Sequence, residues 1–376
     1  MTPKLRRFLD RAGAATPYLV LDVDVVEANY RALAQALDGV RIFYAVKANP
    51  APPILERLVG LGSAFDVASP GEIELVLAAG ATADRISYGN TIKKEADIAR
   101  AYGLGVTLFA FDSEAELAKI ARAAPGARVF CRILTSGEGA DWPLSRKFGC
   151  TPAMARDLLA KAAGLGVAPW GVSFHVGSQQ KNPLAWDRAL AEAAALFHEL
   201  EAVGIELGMV NLGGGFPACY RSAVPEAAAY GGAILEAVSR HFGNRLPFLI
   251  AEPGRGLVGN AGVIQTEVVL IADKGDGDAR RWVYLDVGKF GGLAETMEEA
   301  IQYPIVSGRR GGETGPVILA GPTCDSVDVL YERSRYELPL DLAVGDRLEI
   351  RATGAYTTTY ATVGFNGFEP LRAYCI

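Results

Sequence analysis

The sequence predicts an α/β protein: a (β/α)8 barrel of the TIM type with a further, mostly β domain. Three observations predict it. Eight short runs rich in β-branched and aromatic residues alternate with eight stretches of helical periodicity before about residue 256. Polar residues gather at or just after the C-terminal ends of those runs, where a barrel brings its loops to one face. Beyond residue 256 the alternation stops, and strand-like runs follow one another with turns between them.

The expected barrel strands are Arg41–Val46, Ser63–Val67, Arg85–Tyr88, Val106–Phe111, Arg128–Leu134, Gly171–Val176, Gly208–Leu212 and Pro247–Ala251. A helix over Val25–Leu37 precedes the first strand. Others are expected at about 51–60, 70–80, 93–103, 113–124, 152–166, 184–204 and 226–242. Ser69-Pro70 and Asp112-Ser113 supply N-cap residues, the first followed by proline at the first helical position. Gly60, Gly80 and Gly103 fit C-terminal glycine caps. A doubly wound open sheet has the same alternation. The barrel is preferred because Lys47, Asp66, Asn90, Asp112, His175, Gly213–Gly215 and Glu252–Arg255 all fall at strand C-termini. The second domain is read from Gly259–Leu270, Arg281–Val287, Pro316–Leu319, Asp346–Ile350 and the aromatic tail, with Pro17–Leu21 as its first strand. The expected division is 24–256 for the barrel, and 1–23 with 257–376 for the β domain.

With 37 basic and 43 acidic residues the net charge is −6, and no basic run stands out, so nucleic-acid or membrane-surface binding has little support. No stretch has the uninterrupted apolar length of a membrane span or a signal peptide. The five cysteines are scattered without CxxC spacing and there are three histidines, which argues against a disulfide framework or a metal site and for the cytoplasm.

The residues that carry chemistry begin with Phe43-Tyr44-Ala45-Val46-Lys47. Strand alternation puts Phe43, Ala45 and Lys47 on one face. If Phe43 faces the barrel interior, Lys47 ends in a place that is costly for an unpaired ammonium and suited to imine formation. The glycines of Asn211-Leu212-Gly213-Gly214-Gly215-Phe216 let backbone N–H groups approach an anion after the seventh strand, where barrels often bind phosphate. Ala251-Glu252-Pro253-Gly254-Arg255 follows the eighth strand; Arg255 could grip the same phosphate, and Glu252 could pair with a pyridine nitrogen. In Ser173-Phe174-His175-Val176-Gly177-Ser178, alternation places Ser173, His175 and Gly177 together. Each feature alone has an ordinary explanation: a solvated lysine, a turn, an ion pair, a core histidine. Together they make the constellation that pyridoxal 5'-phosphate requires.

Tyr44-Ala45-Val46-Lys47, Phe65-Asp66-Val67-Ala68-Ser69, Ser173–Ser178, Gly213–Phe216, Glu252–Arg255, Gly321–Asp325 and Gly354-Ala355-Tyr356 stand in the order and approximate spacing of a known family's motifs. The chain resembles the ornithine/diaminopimelate/arginine decarboxylases of the alanine-racemase-like fold (PLP fold type III), from about residue 16 to its C-terminus. Cys324 followed by Asp325 is most similar to the short ornithine decarboxylases.

The resemblance implies a Schiff-base lysine at Lys47, His175 stacked on the pyridine ring, and Glu252 holding the ring nitrogen protonated. It implies phosphate binding by Ser178, Gly214, Gly215, Gly254, Arg255 and Tyr356, and Asp66 near Lys47. Cys324 would reprotonate the carbanion and Asp325 would meet the substrate's distal ammonium, both reaching the site from the partner of a homodimer. A further acidic contact falls in Glu295-Thr296-Met297-Glu298-Glu299, with Glu298 and Glu299 as candidates. Arg146 stands two places later than the arginine of eukaryotic members, which leaves its role open. The implied reaction is decarboxylation of L-ornithine to putrescine, as in polyamine biosynthesis. Lysine is a second or shared substrate, diaminopimelate the near alternative, and an inactive regulator like the antizyme inhibitors the non-enzyme alternative.

Overall fold

The computed structural model describes residues 1–142, 147–275, 277–308 and 312–376, so Arg146 lies outside the described residues. The chain divides into two compact units, one of residues 27–217 and 224–256, the other of residues 1–26, 218–223 and 257–376.

The first unit is a closed barrel of eight parallel strands. They are Val40–Ala45, Ala64–Val67, Ile86–Tyr88, Leu108–Phe111, Arg128–Arg132, Ala168–Ser173, Met209–Asn211 and Phe248–Ala251. Closure comes from the last strand pairing with the first, Leu249 with Val40 and Ala251 with Ile42. Phe43, Ala64, Leu108, Ala110, Phe130, Met209 and Ile250 pack as one buried cluster.

Local chemistry explains the helix boundaries. Ser69, Ser113 and Thr151 each accept a hydrogen bond from the N–H three residues on, at 3.3, 3.4 and 3.3 Å, and start helices at Pro70, Glu114 and Pro152. Two of the three expected glycine caps move. Gly60 and Gly103 are the last helical residues, and the left-handed positions fall on Gly62 (φ +86°) and Gly105 (φ +94°). Gly80 does take that position, at φ +96°.

The first and sixth expected strands end earlier than their hydrophobic patterns predict. The first barrel strand ends at Ala45, and Lys47 sits in a 3-10 turn over Val46–Ala48. The sixth ends at Ser173, so strand alternation does not orient His175. The reason is that both segments leave the barrel ladder to form the site. Ser178–Gln180 then pairs with Ala140–Trp142 in a small ribbon that the sequence did not disclose.

The second unit is an eight-stranded sheet. Its longest strands are Gly262–Ala272 and Val329–Pro339. Gly262–Ala272 shifts register between Val268 and Leu270, which lets it pair with Arg347–Arg351 over its first half and Arg281–Leu285 over its second. Tyr18–Leu21 joins this sheet, antiparallel to Gly262–Ala272 and parallel to Arg372–Cys375. An unanticipated helix, Pro3–Arg11, is capped by Thr2 and buries Leu5 and Leu9 against Tyr18, Val20 and Val263. Its basic residues masked the Leu5/Leu9 pair, which is one turn apart. No helix among the described residues is long and apolar enough to cross a membrane.

Candidate active site

Lys47 is exposed although its neighbours Val46 and Ala48 are buried, so its amine opens onto the C-terminal end of the barrel. Tyr44 fixes the turn by donating its hydroxyl proton to the Asn49 carbonyl at 2.8 Å. Around Lys47 lies a set of mutually interacting charges: Asp66, Glu72, Arg132 and Glu252. Asp66 is the last residue but one of the second barrel strand, and burial pushes its carboxyl well above the usual range; Glu252 pushes it further, while Lys47 opposes. Its Oδ1 is buried with no hydrogen-bond partner among the described residues. A Cβ on Gly89 would lie 2.0 Å from that atom, so glycine is needed there for Asp66 to fit.

The glycine loop is built by close approach. Gly213 (φ +66°) and Gly215 (φ +111°) occupy left-handed conformations. A Cβ on Gly213 would meet the Phe174 carbonyl at 2.0 Å, and one on Gly214 would meet the Glu252 carbonyl at 2.8 Å and His175 Nε2 at 3.3 Å. Backbone bonds close the loop: Glu252 N–H to the Gly213 carbonyl at 2.8 Å, and Gln180 N–H to the Gly215 carbonyl at 2.9 Å. Arg255, 3 % exposed, directs Nε and an Nη to the Ser178 hydroxyl, each at 3.3 Å. Ser178, Gly215 and Arg255 thus come together, as an anion site needs.

Asn211 is a site residue that motif reading quoted without a role. Fully buried, it donates from Nδ2 to Glu252 Oε1 and accepts the Gly213 N–H on Oδ1 at 2.9 Å. It therefore sets the carboxylate and the glycine loop relative to each other. Burial raises the Glu252 carboxyl, while the Asn211 bond and the charges of Lys47 and Arg132 pull it down. Arg132 was also missed. It ends the fifth strand, lies 5.1 Å from the Phe148 ring centroid and interacts with both Asp66 and Glu252. A basic residue closing a barrel strand was the signal available for it.

His175 accepts the Gly177 N–H on Nδ1 at 3.0 Å. Burial drives its pKa well down, and the cations Arg132 and Lys47 act the same way. The imidazole is therefore neutral, which suits an apolar face laid on a ring.

The remaining candidates belong to the other unit. Tyr356 takes the left-handed conformation (φ +55°) beside Gly354, whose Cβ would sit 1.9 Å from the Val258 carbonyl. Cys324 and Asp325 lie on an exposed loop. Glu298 is exposed, and Glu299 accepts three backbone N–H groups, from Glu332, Arg333 and Ser334, at 2.8, 2.7 and 2.6 Å.

A buried glycine cradle beside an arginine and a serine, a lysine open to the site, a carboxylate oriented by Asn211 and an unpartnered buried Asp66 oxygen fit pyridoxal phosphate in its phosphate, aldehyde and ring-nitrogen chemistry. The fold and site define a pyridoxal-phosphate enzyme of the barrel type. The family model for the pyridoxal-dependent decarboxylase, pyridoxal binding domain, matches residues 23–259, and the chain belongs to that family as a carboxy-lyase of basic amino acids using pyridoxal phosphate. It is 37 % identical to the lysine/ornithine decarboxylase of Selenomonas ruminantium over 358 residues, 94 % of this chain and 88 % of that protein. Antizyme inhibitor 2 of Xenopus laevis is 35 % identical, over 94 % of this chain and 79 % of that protein. The Vibrio vulnificus lysine/ornithine decarboxylase solved with cadaverine superposes with a TM-score of 0.89 at 33 % identity, covering 99 % of this chain and 97 % of that one.

Proposed function

We propose that the chain decarboxylates L-ornithine to putrescine in the cytoplasm, for polyamine synthesis, with lysine as a second substrate, and works as a homodimer with shared active sites. The observation that carries decarboxylation is the Glu252 carboxylate, held by Asn211 next to the glycine cradle. Bound pyridoxal phosphate supplies an electron sink for the pair left behind by CO2. Glu252 strengthens it by keeping a proton on the ring nitrogen, and His175 keeps water from one ring face. Ser178, Gly214, Gly215, Gly254 and Arg255, with Tyr356, would hold the phosphate, while Lys47 would anchor the cofactor with Asp66 beside it. Cys324 of the second copy returns the proton to the substrate carbon. Asp325 meets the distal ammonium, with Glu298 or Glu299 as the further acidic contact. Glu299 already receives three N–H groups but keeps acceptor capacity, since a carboxylate offers about four lone-pair sites.

Ornithine and lysine differ by one methylene, which a pocket discriminates by only ~1–3 kcal/mol, so activity on both is expected. The relatives named for both amino acids support this. An inactive regulator, the reading that the antizyme-inhibitor relative suggests, is disfavoured because Lys47, Glu252 and Cys324 are all in place. The test is CO2 release from ornithine, lysine, arginine and diaminopimelate side by side. Ornithine should give the highest kcat/KM, with lysine within about 100-fold. Arginine or diaminopimelate leading the series would overturn the assignment.

A further inference from the structure

The loop from Gly321 to Asp328 carries Cys324 and Asp325 without regular secondary structure. Besides Asp325, whose Oδ1 accepts the Val327 N–H at 2.9 Å, two side chains hold it. Asp328, 2 % exposed, accepts the Thr323 N–H at 3.2 Å and the Thr323 hydroxyl at 2.7 Å, and takes the Lys289 N–H at 2.7 Å on its other oxygen. Glycine is required on either side, because a Cβ at Gly288 or Gly321 would lie 2.2 or 2.3 Å from the carboxylate. From the opposite direction, the N–H of Cys324 itself donates to Asn366 Oδ1 at 2.7 Å, across 42 residues of sequence.

Asn366 is set up for that bond at a conformational cost. It sits at φ +51° and ψ 17°, the left-handed region that asparagine tolerates better than most residues. Gly364 (φ +75°) and Gly367 (φ +78°) flank it in the same sense. The turn is anchored at its base: the rings of Phe365 and Phe290 lie 4.6 Å apart, and Thr362 donates its N–H and its hydroxyl to the Phe290 carbonyl at 2.9 and 3.0 Å. A strained, anchored turn thus presents one acceptor to one N–H.

Cysteine has a single side-chain torsion, so the place of its sulfur follows from the orientation of its own backbone. Cys324 is exposed on its own chain. A proton donor to carbon must nonetheless be held to within a fraction of an ångström. We propose that Asn366 is a positioning residue for the Cys324 thiol, holding the peptide N-terminal to it so that the proton goes to the substrate carbon. The inference rests on the reading of Cys324 as proton donor.

The reaction has a diagnostic error. If the proton goes instead to the carbon of the cofactor, substrate plus pyridoxal phosphate gives CO2, an aldehyde and pyridoxamine phosphate. The amine nitrogen moves to the cofactor and the aldehyde oxygen to the substrate, with no outside oxidant. The test compares Asn366→Gly, which keeps the left-handed backbone and removes the acceptor, with Asn366→Asp, which keeps an acceptor, and with Cys324→Ala. In the holoenzyme without substrate, Asn366→Gly should speed amide exchange at Cys324 by at least about threefold and leave the barrel strands unchanged. With ornithine, it should raise the aldehyde and pyridoxamine phosphate share at least about tenfold and lower kcat, with KM within about twofold. Asn366→Asp should restore the normal share. Unchanged exchange at Cys324 overturns the inference. So does a normal product share in Asn366→Gly when Cys324→Ala raises it, because Asn366 is then a structural cap alone. If Cys324→Ala itself leaves the share unchanged, the proton-donor reading fails, and the inference with it.

Discussion

In the proposed reaction, Glu252 concentrates the chemistry into one side chain. Its carboxyl is raised by burial and steadied by Asn211, Lys47 and Arg132, so it can share a proton with a ring nitrogen without being lost to solvent. On that proposal, replacement by alanine removes the ring-nitrogen partner but leaves Ser178, Gly215 and Arg255 to hold the phosphate. Glu252→Ala is therefore expected to keep cofactor affinity within about tenfold and lower kcat by about 100-fold or more, since the interaction gains most in the transition state. Cofactor titration followed by steady-state kinetics separates the two. A variant with normal kcat and only weaker cofactor binding would contradict the role. At this scale the sequence singles out residues whose chemistry is uncommon, Lys47, the three glycines and Glu252, and the structure brings them close together. Asn211 and Arg132 could not be singled out, because asparagine and arginine are common at strand ends, and only the distances to Glu252 and Phe148 give them meaning.

Among the elements, the loop after the third barrel strand shows how a buried charge is tolerated near a site. Lys93 is 6 % exposed and donates to the carbonyls of Asn90 and Ala110, each at 2.7 Å. It pairs with Glu116 at 3.0 Å, and Glu116 also pairs with Lys119 at 2.6 Å. Burial lowers the Lys93 pKa from 10.5 to about 8, although Glu116 opposes. Between those two values the unfolded chain binds more protons than the folded one, so this group makes stability rise with pH. Below about 8 its full penalty applies. Lys93→Met should flatten the rise between pH 8 and pH 9.5 by up to about 1 kcal/mol per pH unit, measured by denaturant unfolding at each pH. Equal pH dependence in both proteins would contradict this. Element order was legible because hydrophobic period and cap chemistry agree, as at Ser69-Pro70 and Ser113. Element ends were less so. The patterns of Arg128–Leu134 and Gly171–Val176 continue past the last ladder residues, Arg132 and Ser173, because site loops bury apolar side chains too. The strand Val329–Pro339 went unseen since its charged, alternating Glu332–Arg335 reads as a loop.

For the whole molecule, the account places one active site on two chains: Lys47 from one, Cys324 and Asp325 from the other. Mixing inactive Lys47→Ala protein with Cys324→Ala protein, which misdirects the proton, should restore putrescine formation, since each mixed dimer holds one complete site. Random re-pairing makes about half the dimers mixed, so recovery should approach about a quarter of wild-type sites on the two-fold geometry expected of a homodimer. No recovery after demonstrated subunit exchange would put Cys324 within its own chain's site. The proposed reaction depends on Lys47 carrying the cofactor. The most direct measurement is to reduce the yellow holoenzyme with borohydride, digest it and locate the pyridoxyl group by mass spectrometry. The account predicts a single adduct on Lys47. An adduct on Lys93, Lys147 or Lys289, with Lys47 unmodified, would contradict it.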